Sequence, residues 1–155
     1  MFKKNIWIIL AILLLIADQI IKVSIVNSSI DIDLWGDFLN IAQSKNYGIF
    51  TGFPLNYSEI VIIFILALFG FLFIRNKKFI PLFPYFLIAL TGVISNLIDK
   101  VRLGFVIDYI NVFNFSHFNI ADLLIYIGCI MIIFRIIMNN KSQDTNNKKV
   151  CNLEN

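Results

Sequence analysis

Charged and metal-binding residues are scarce in this sequence. Only 15% of the 155 residues are charged, one residue is histidine and two are cysteine. A soluble domain of this length needs a more polar surface, and a single histidine, His117, excludes a histidine-rich metal site. Cys129 lies in an apolar run and Cys151 in a polar tail, so they make a poor disulfide pair and lack metal-ligand spacing. We therefore expect neither a bound metal nor a cofactor.

The motifs of several common enzyme classes are also missing. The sequence contains no glycine-rich phosphate loop, no HExxH and no GxSxG. This argues against a P-loop nucleotide hydrolase, an HExxH metalloprotease and a serine hydrolase of the GxSxG type. The basic residues are scattered and lie close to apolar segments, so no nucleic-acid partner is expected.

Long apolar runs dominate what is present, since 59% of the residues are hydrophobic and the mean hydropathy is +0.81. Four runs are long enough to cross a membrane as helices, at about 5–26, 58–75, 79–98 and 118–138. Helices are expected because a spanning segment must satisfy its own backbone hydrogen bonds. The predicted fold class is an all-α polytopic membrane protein with one domain, residues 1–138.

The first apolar run also resembles a secretory signal peptide, because Lys3 and Lys4 precede it. That interpretation requires a small-residue cleavage site after the run, and none follows. The stretch IADQIIK comes instead, and apolar character resumes beyond it. An uncleaved first helix is therefore favoured.

The basic residues orient the predicted helices. The outer loops are then 27–57 and 99–117, and both termini are cytoplasmic, including a polar tail at 139–155 that we expect to be disordered. The first loop mixes aromatic and β-branched residues with glycines, which suggests short strands and turns at the membrane surface, and an irregular loop is an equal alternative. The residues that define the inner side are Lys3, Lys4, Arg75, Lys77, Lys78, Arg135, Lys141, Lys148 and Lys149.

Most acidic residues fall on the opposite, outer side, although carboxylates near lipid are costly and usually functional. Two of them belong to Asn-x-x-Asp pairs, Asn96 with Asp99 and Asn119 with Asp122, and residues three apart share a helix face. Asp18 and Lys22 are four apart and share a face of the first helix. The outer acidic residues are Asp18, Asp31, Asp33, Asp37, Glu59, Asp99, Asp108 and Asp122.

Two aspartates that converge at this surface could perform aspartic-protease chemistry. Two neighbouring carboxyls cannot both ionise cheaply, so one keeps a proton. The ionised carboxylate then activates a water molecule while the protonated carboxyl donates to the carbonyl oxygen of the scissile bond. The simpler alternative is a set of ordinary helix-end acids, with Asp122 stabilising a helix start and Asp99 pairing with Lys100 or Arg102. His117 is interpreted as an interface residue.

A second function class is a small transport or scaffold protein whose acidic residues bind cations or a partner. Asp18 and Asp99, near helix ends, fit that interpretation. The gathering of acidic residues on one side fits it less well, because a conduction path needs polar residues at several depths.

The ordered motifs DQIIK, NYG, NLID, VIDYI and FNIAD, from about Ala17 to Asp122, resemble the lipoprotein signal peptidases, also called signal peptidase II. The resemblance implies a bacterial inner-membrane aspartic endopeptidase that cuts diacylglyceryl-modified prolipoproteins just before the lipidated cysteine. It also implies four transmembrane helices and a small outer β-cradle built from the first loop. Prolipoproteins and membrane lipid are the implied partners, and we expect a monomer. A degenerate homologue that binds lipoprotein signals without cutting them is the related alternative.

The same resemblance assigns roles to individual residues. Asp108 and Asp122 match the family's catalytic pair. The sequence departs from the family pattern after the third run, where Ser95 and Lys100 replace glycine and arginine, and Arg102 is the nearby residue that could substitute for that arginine. The positions that match the supporting motifs are Asn119, Asn96, Asp99, Asn46, Gly48, Asp18 and Lys22.

Overall fold

The computed structural model describes residues 2–28, 31–36, 38–47, 76–113 and 115–151, with single residues between 64 and 75. Three α-helices, one 3-10 helix and four strands are present in these ranges. In chain order they are α1 (Phe2–Ser28), β1 (Asp31–Asp33), β2 (Leu39–Asn46), a 3-10 helix (Lys77–Leu82), α2 (Phe83–Leu103), β3 (Val106–Val112), β4 (Ser116–Phe118) and α3 (Ile120–Cys151).

Three stretches of the described residues are helical, long enough and apolar enough to cross a membrane: Asn5–Ser28, Phe79–Leu103 and Ile120–Asn139. They correspond to the first, third and fourth predicted spans. The second predicted span, 58–75, lies mostly outside the described residues. Its described members are all helical: Phe64, Leu68, Gly70, Phe71 and Arg75.

Two helix ends differ from the sequence prediction. Helix α2 continues to Leu103, so residues 99–103 belong to its end rather than to the outer loop. Gly104 ends it with a left-handed φ of +82°, which glycine adopts without steric cost, and its N–H donates to the Lys100 carbonyl. Helix α3 continues to Cys151, where a disordered tail was predicted from residue 139. Residues 139–151 contain no proline or glycine that would interrupt the helix.

Small residues let α2 and α3 pack closely. A Cβ atom at Gly92 would overlap the carbonyl oxygen of Ala121 in the first turn of α3. One at Gly128 would lie 2.7 Å from the Cβ atom of Ala89. Close contact through small residues is a common way for membrane helices to associate. It brings the start of α3 against α2.

The strands form one antiparallel sheet in the order β1-β2-β3-β4. The small sheet was predicted, but its composition differs from the cradle of first-loop strands that the resemblance implied, because β3 and β4 come from the second outer loop. An irregularity between Ile41 and Ser44 shifts the register, so that Ser44 lies opposite Asp108. Ile107 and Tyr109 of β3 pack against Ile25 of α1, which fixes the sheet on the helices.

Candidate active site

Asp108 lies on β3, and its side chain is almost completely buried. One carboxylate oxygen, Oδ1, accepts a hydrogen bond from Nδ2 of Asn119 at 2.7 Å, and Oδ2 accepts one from Nδ2 of Asn46 at 2.9 Å. Burial raises the pKa of Asp108 from its ordinary 3.8 to about 6. The charge of Asp122 adds to the rise, whereas the two amide hydrogen bonds oppose it. The two amide donors thus orient the carboxyl, and its raised pKa keeps it protonated to a higher pH than an exposed aspartate.

Asp122 and Asn119 form a reciprocal cap at the start of α3. The backbone N–H of Asp122 donates to Oδ1 of Asn119 at 2.9 Å, and the backbone N–H of Asn119 donates to Oδ2 of Asp122 at 3.1 Å. This is the geometry of a capping box, which satisfies two donors at a helix start. Oδ2 of Asp122 therefore acts as a helix-end acceptor, as the simpler interpretation proposed. The other oxygen, Oδ1, accepts from Nδ2 of Asn96 at 2.8 Å.

Asn119 joins the two aspartates through a single buried side chain. Its amide nitrogen contacts Asp108, and its amide oxygen and backbone nitrogen contact Asp122. The same amide nitrogen lies 3.2 Å from the carbonyl oxygen of Ile107, which ties it to β3. The strand and the helix that carry the two carboxyls are thereby fixed to each other.

Lys22 forms the centre of a second cluster and is fully buried. Its Nζ lies 2.9 Å from Oδ2 of Asp18 and 2.8 Å from Oδ2 of Asp99. It also donates to Oδ1 of Asn96 at 2.8 Å. An ammonium group has three donor hydrogens, so these three acceptors match its capacity. Asp99 thus pairs with Lys22 of another helix, a partner that the helix-end interpretation, which named Lys100 or Arg102, did not predict.

Asn96 connects the two clusters. Its amide oxygen accepts from Lys22, and its amide nitrogen donates to Asp122. An amide side chain whose oxygen and nitrogen are both engaged cannot rotate freely. The buried ammonium group therefore helps to fix the orientation of the Asp122 carboxyl.

Three residues in these clusters were not predicted as part of the site. Ser95 was noted only as a departure from the family pattern, but its Oγ donates to Oδ2 of Asp18 at 2.6 Å. Nε2 of Gln19 donates to that Oγ at 2.8 Å and to Oδ1 of Asp99 at 3.0 Å. The hydroxyl of Tyr109 donates to Oδ1 of Asp18 at 3.4 Å. The sequence offered a signal for them, because each is next in the chain to an aspartate or asparagine of a motif.

The remaining predicted residues divide into three groups. Gly48 lies outside the described residues. Lys100 is buried in the last turns of α2, whereas Arg102 is exposed there. His117 is exposed on β4. Within the described ranges, no three or more histidine, cysteine, aspartate or glutamate side chains form a group that could hold a metal ion.

Comparisons with known proteins identify the family. The sequence profile of Signal peptidase (SPase) II matches residues 10–138. A lipoprotein signal peptidase of Staphylococcus aureus (strain MRSA252) is 35% identical over 155 residues, which cover 92% of this chain and 91% of the relative. One from Clostridioides difficile (strain 630) is 31% identical over 144 residues, which cover 83% of this chain and 95% of the relative.

The fold agrees with solved structures of bacterial membrane enzymes. One is 26% identical, with a TM-score of 0.78 over 89% of this chain and 91% of its own. A second is 28% identical, with a TM-score of 0.74 over 85% and 92%. Because the profile and the relatives cover most of the sequence, the family predicted from the motifs is confirmed: the chain belongs to the signal peptidase II family.

Proposed function

We propose that this chain is a membrane aspartic endopeptidase that removes the signal peptide from diacylglyceryl-modified prolipoproteins, cutting just before the lipidated cysteine. Asp108 and Asp122 are the proposed catalytic pair. The observation that carries the proposal is the convergence of these two carboxyls on Asn119. Membership of a peptidase family and relatives named lipoprotein signal peptidases support the reaction class.

The proposed pair holds one proton between its two carboxyls. The raised pKa of Asp108 is consistent with this: burial is its main cause, and the neighbouring charge of Asp122 adds to it. The ionised carboxylate removes a proton from a water molecule, whose oxygen attacks the carbonyl carbon of the scissile peptide. The other carboxyl donates its proton to the carbonyl oxygen. As the tetrahedral intermediate collapses, the C–N bond breaks and the nitrogen of the lipidated cysteine takes a proton from the pair. One hydroxyl of the intermediate returns its proton to the pair as the carbonyl reforms.

The hydrogen bonds around the pair would lower the barrier by pre-organisation. Each of the four carboxyl oxygens already accepts one N–H donor, from Asn46 and Asn119 on Asp108 and from Asn96 and Asn119 on Asp122. Groups that are oriented before the reaction need no reorganisation as charge develops. The polar network thus has a catalytic explanation in addition to a structural one.

We further propose a multi-pass arrangement in the bacterial cytoplasmic membrane, with residues 58–75 as another span, both termini cytoplasmic and the pair at the outer face. The end of α1, the end of α2 and the start of α3 meet at the pair, which supports its position at one membrane surface. The substrate's acyl chains would lie in the outer leaflet, where each buried methylene contributes about 0.8 kcal/mol. We propose a monomer as the active form.

Purified protein in lipid nanodiscs, mixed with a prolipoprotein that does or does not carry the diacylglyceryl group, tests this function. Mass spectrometry should show cleavage of the lipidated substrate only, with the modified cysteine as the new N-terminus. Folded protein that fails to cut a substrate that another signal peptidase II does cut would contradict the proposal. That result would favour a homologue that binds without cutting.

A further inference from the structure

Four aromatic residues form an exposed patch at the end of the sheet that is farthest from the catalytic pair along the strands. Trp35 and Phe38 lie in the turn between β1 and β2, and Phe113 and Phe115 lie in the turn between β3 and β4. Trp35 is 73% exposed and Phe115 is 91% exposed. We call these four residues the aromatic tip.

Three of the four rings of the aromatic tip contact one another, so the tip is an ordered surface. The rings of Trp35 and Phe38 are 5.3 Å apart and those of Phe38 and Phe113 are 4.7 Å apart, both edge to face. The backbone N–H of Phe113 also donates to the Phe38 carbonyl at 3.0 Å, which joins the two turns. Phe113 has a φ of +55°, where a large side chain is strained. Its ring contacts explain why phenylalanine stands there instead of glycine or asparagine.

The depth of the sheet relative to the helices shows what covers the tip. Tyr109 of β3 packs against Ile25 of α1, with Ile21 beside it. Both isoleucines belong to the stretch Asn5–Ser28 that can span the membrane. The sheet therefore lies against the side of the last turns of α1, within the stretch that is long and apolar enough to span the membrane.

Apolar surface continues from the membrane-spanning helix to the tip. Val23 and Val26 are exposed on the last turns of α1. Ile32 of β1 and Leu34 after it are also exposed, and they precede Trp35 in the chain. A surface that continues the lipid-facing side of a helix, and ends in tryptophan and phenylalanine, has the composition of membrane-interface anchors.

We propose that the aromatic tip inserts into the lipid bilayer that surrounds the helices, at the boundary between headgroups and acyl chains. The sheet then has two attachments, the packing of β3 on α1 and the tip in lipid. Asp108 lies on β3 between Ile107 and Tyr109, which pack on α1, and the tip follows the far end of the same strand. The two attachments together would hold that carboxyl at a constant height above the acyl chains. A second copy of the chain or another protein would instead cover the tip with protein.

Tryptophan fluorescence tests the proposal, since Trp7 and Trp35 are the two tryptophans of the sequence. The Trp7→Phe variant, reconstituted in vesicles, reports Trp35 alone. Lipids brominated near the carbonyl end of the acyl chain should quench its emission more than lipids brominated near the methyl end. A matched reference replaces both tryptophans with phenylalanine and carries Ile130→Trp, at an exposed position midway along the spanning part of α3. Emission from this reference tryptophan should be quenched more by lipids brominated near the methyl end than by lipids brominated near the carbonyl end.

Trp35 emission that is insensitive to both brominated lipids would overturn the proposal. If acrylamide quenches it, the tip faces water; if acrylamide does not, protein covers the tip. Should Trp7→Phe fail to fold, the difference between wild-type and Trp35→Phe spectra in the same vesicles gives the same comparison.

Discussion

Lys22 has its ammonium group fully buried, and three acceptors compensate for the lost hydration. Removal of one partner from a buried ion pair costs more than the pair contributes, because it leaves an uncompensated charge. Lys22 is the ion-pair partner of two carboxylates, Asp18 and Asp99. Loss of Lys22 breaks both ion pairs, whereas loss of either aspartate breaks only one. The members of this cluster should therefore differ in how much their loss destabilises the fold.

Lys22→Met should lower the free energy of unfolding by about 3–5 kcal/mol, since it leaves two buried carboxylates without a counter-charge. Asp99→Asn should cost less and retain some cleavage activity, because Lys22 keeps Asp18 and Asn96 as partners. Thermal unfolding in detergent and a cleavage assay measure both, with the exposed Asp33→Asn as the control. Complete loss of cleavage in well-folded Asp99→Asn would make Asp99 a catalytic candidate.

The raised pKa of Asp108 predicts a pH dependence of stability. Between its ordinary 3.8 and about 6, the folded protein binds this proton and the unfolded chain does not, so stability falls as pH rises through this window. The loss attributable to Asp108 is about 3 kcal/mol, at roughly 1.4 kcal/mol per pH unit. Thermal midpoints between pH 4 and 7 should therefore change less in Asp108→Asn than in the wild type. If the thermal midpoint depends equally on pH in both proteins, the pKa of Asp108 is not raised. The Asp33→Asn control should keep the pH dependence of the wild type.

The first turn of α3 has two functions that a single substitution can separate. Asn119 caps the helix through its side-chain oxygen and positions Asp108 through its side-chain nitrogen. Serine is a good N-cap residue but lacks the amide donor. Asn119→Ser should thus be more stable than Asn119→Ala by about 1 kcal/mol, and both should lose most of their activity. Unfolding in detergent and initial cleavage rates are the two measurements; wild-type rates in Asn119→Ser would show that the amide donor is dispensable.

The contact between α2 and α3 sets the position of Asp122. A methyl group at Gly92 would overlap the Ala121 carbonyl, so Gly92→Ala should push the start of α3 away from Asn96. Overpacking of this kind costs about 1–3 kcal/mol, and the cleavage rate should fall with it. Gly70→Ala is the matched control, because the described residues place no atom within 4 Å of a Cβ atom there. If the two variants have equal melting temperatures and rates, the close packing does not position the site.

The sequence made some elements predictable because their signals are local. Apolar runs located three helices, and the three-residue spacing of Asn119 and Asp122 placed them on one helix start, where they form a capping box. The end of α2 was missed because Asp99, Lys100 and Arg102 have the composition of a loop, although Gly104 marks the helix end. The pairing of Asp99 with Lys22, and of β2 with β3, joins distant parts of the chain. Periodicity carries no information about such pairing.

At the scale of the whole molecule, three helix ends and a four-stranded sheet enclose one polar network. α1 supplies Lys22, α2 supplies Asn96, and β3 and α3 each supply one carboxyl of the pair. Lysine and the asparagines orient the carboxyls, and the close packing of α2 on α3 holds them in place. In the proposed mechanism, two residues therefore perform catalysis and the others support them.

Single-turnover cleavage of a diacylglyceryl-modified prolipoprotein by the wild type, Asp108→Asn and Asp122→Asn tests that assignment most directly. Both substitutions keep the size of the side chain, so the variants should insert and fold while cleavage is abolished in each. Normal melting behaviour in detergent confirms folding. Cleavage that persists in either folded variant would contradict the proposed pair and would move the search for the catalytic group to Asp18 and Asp99.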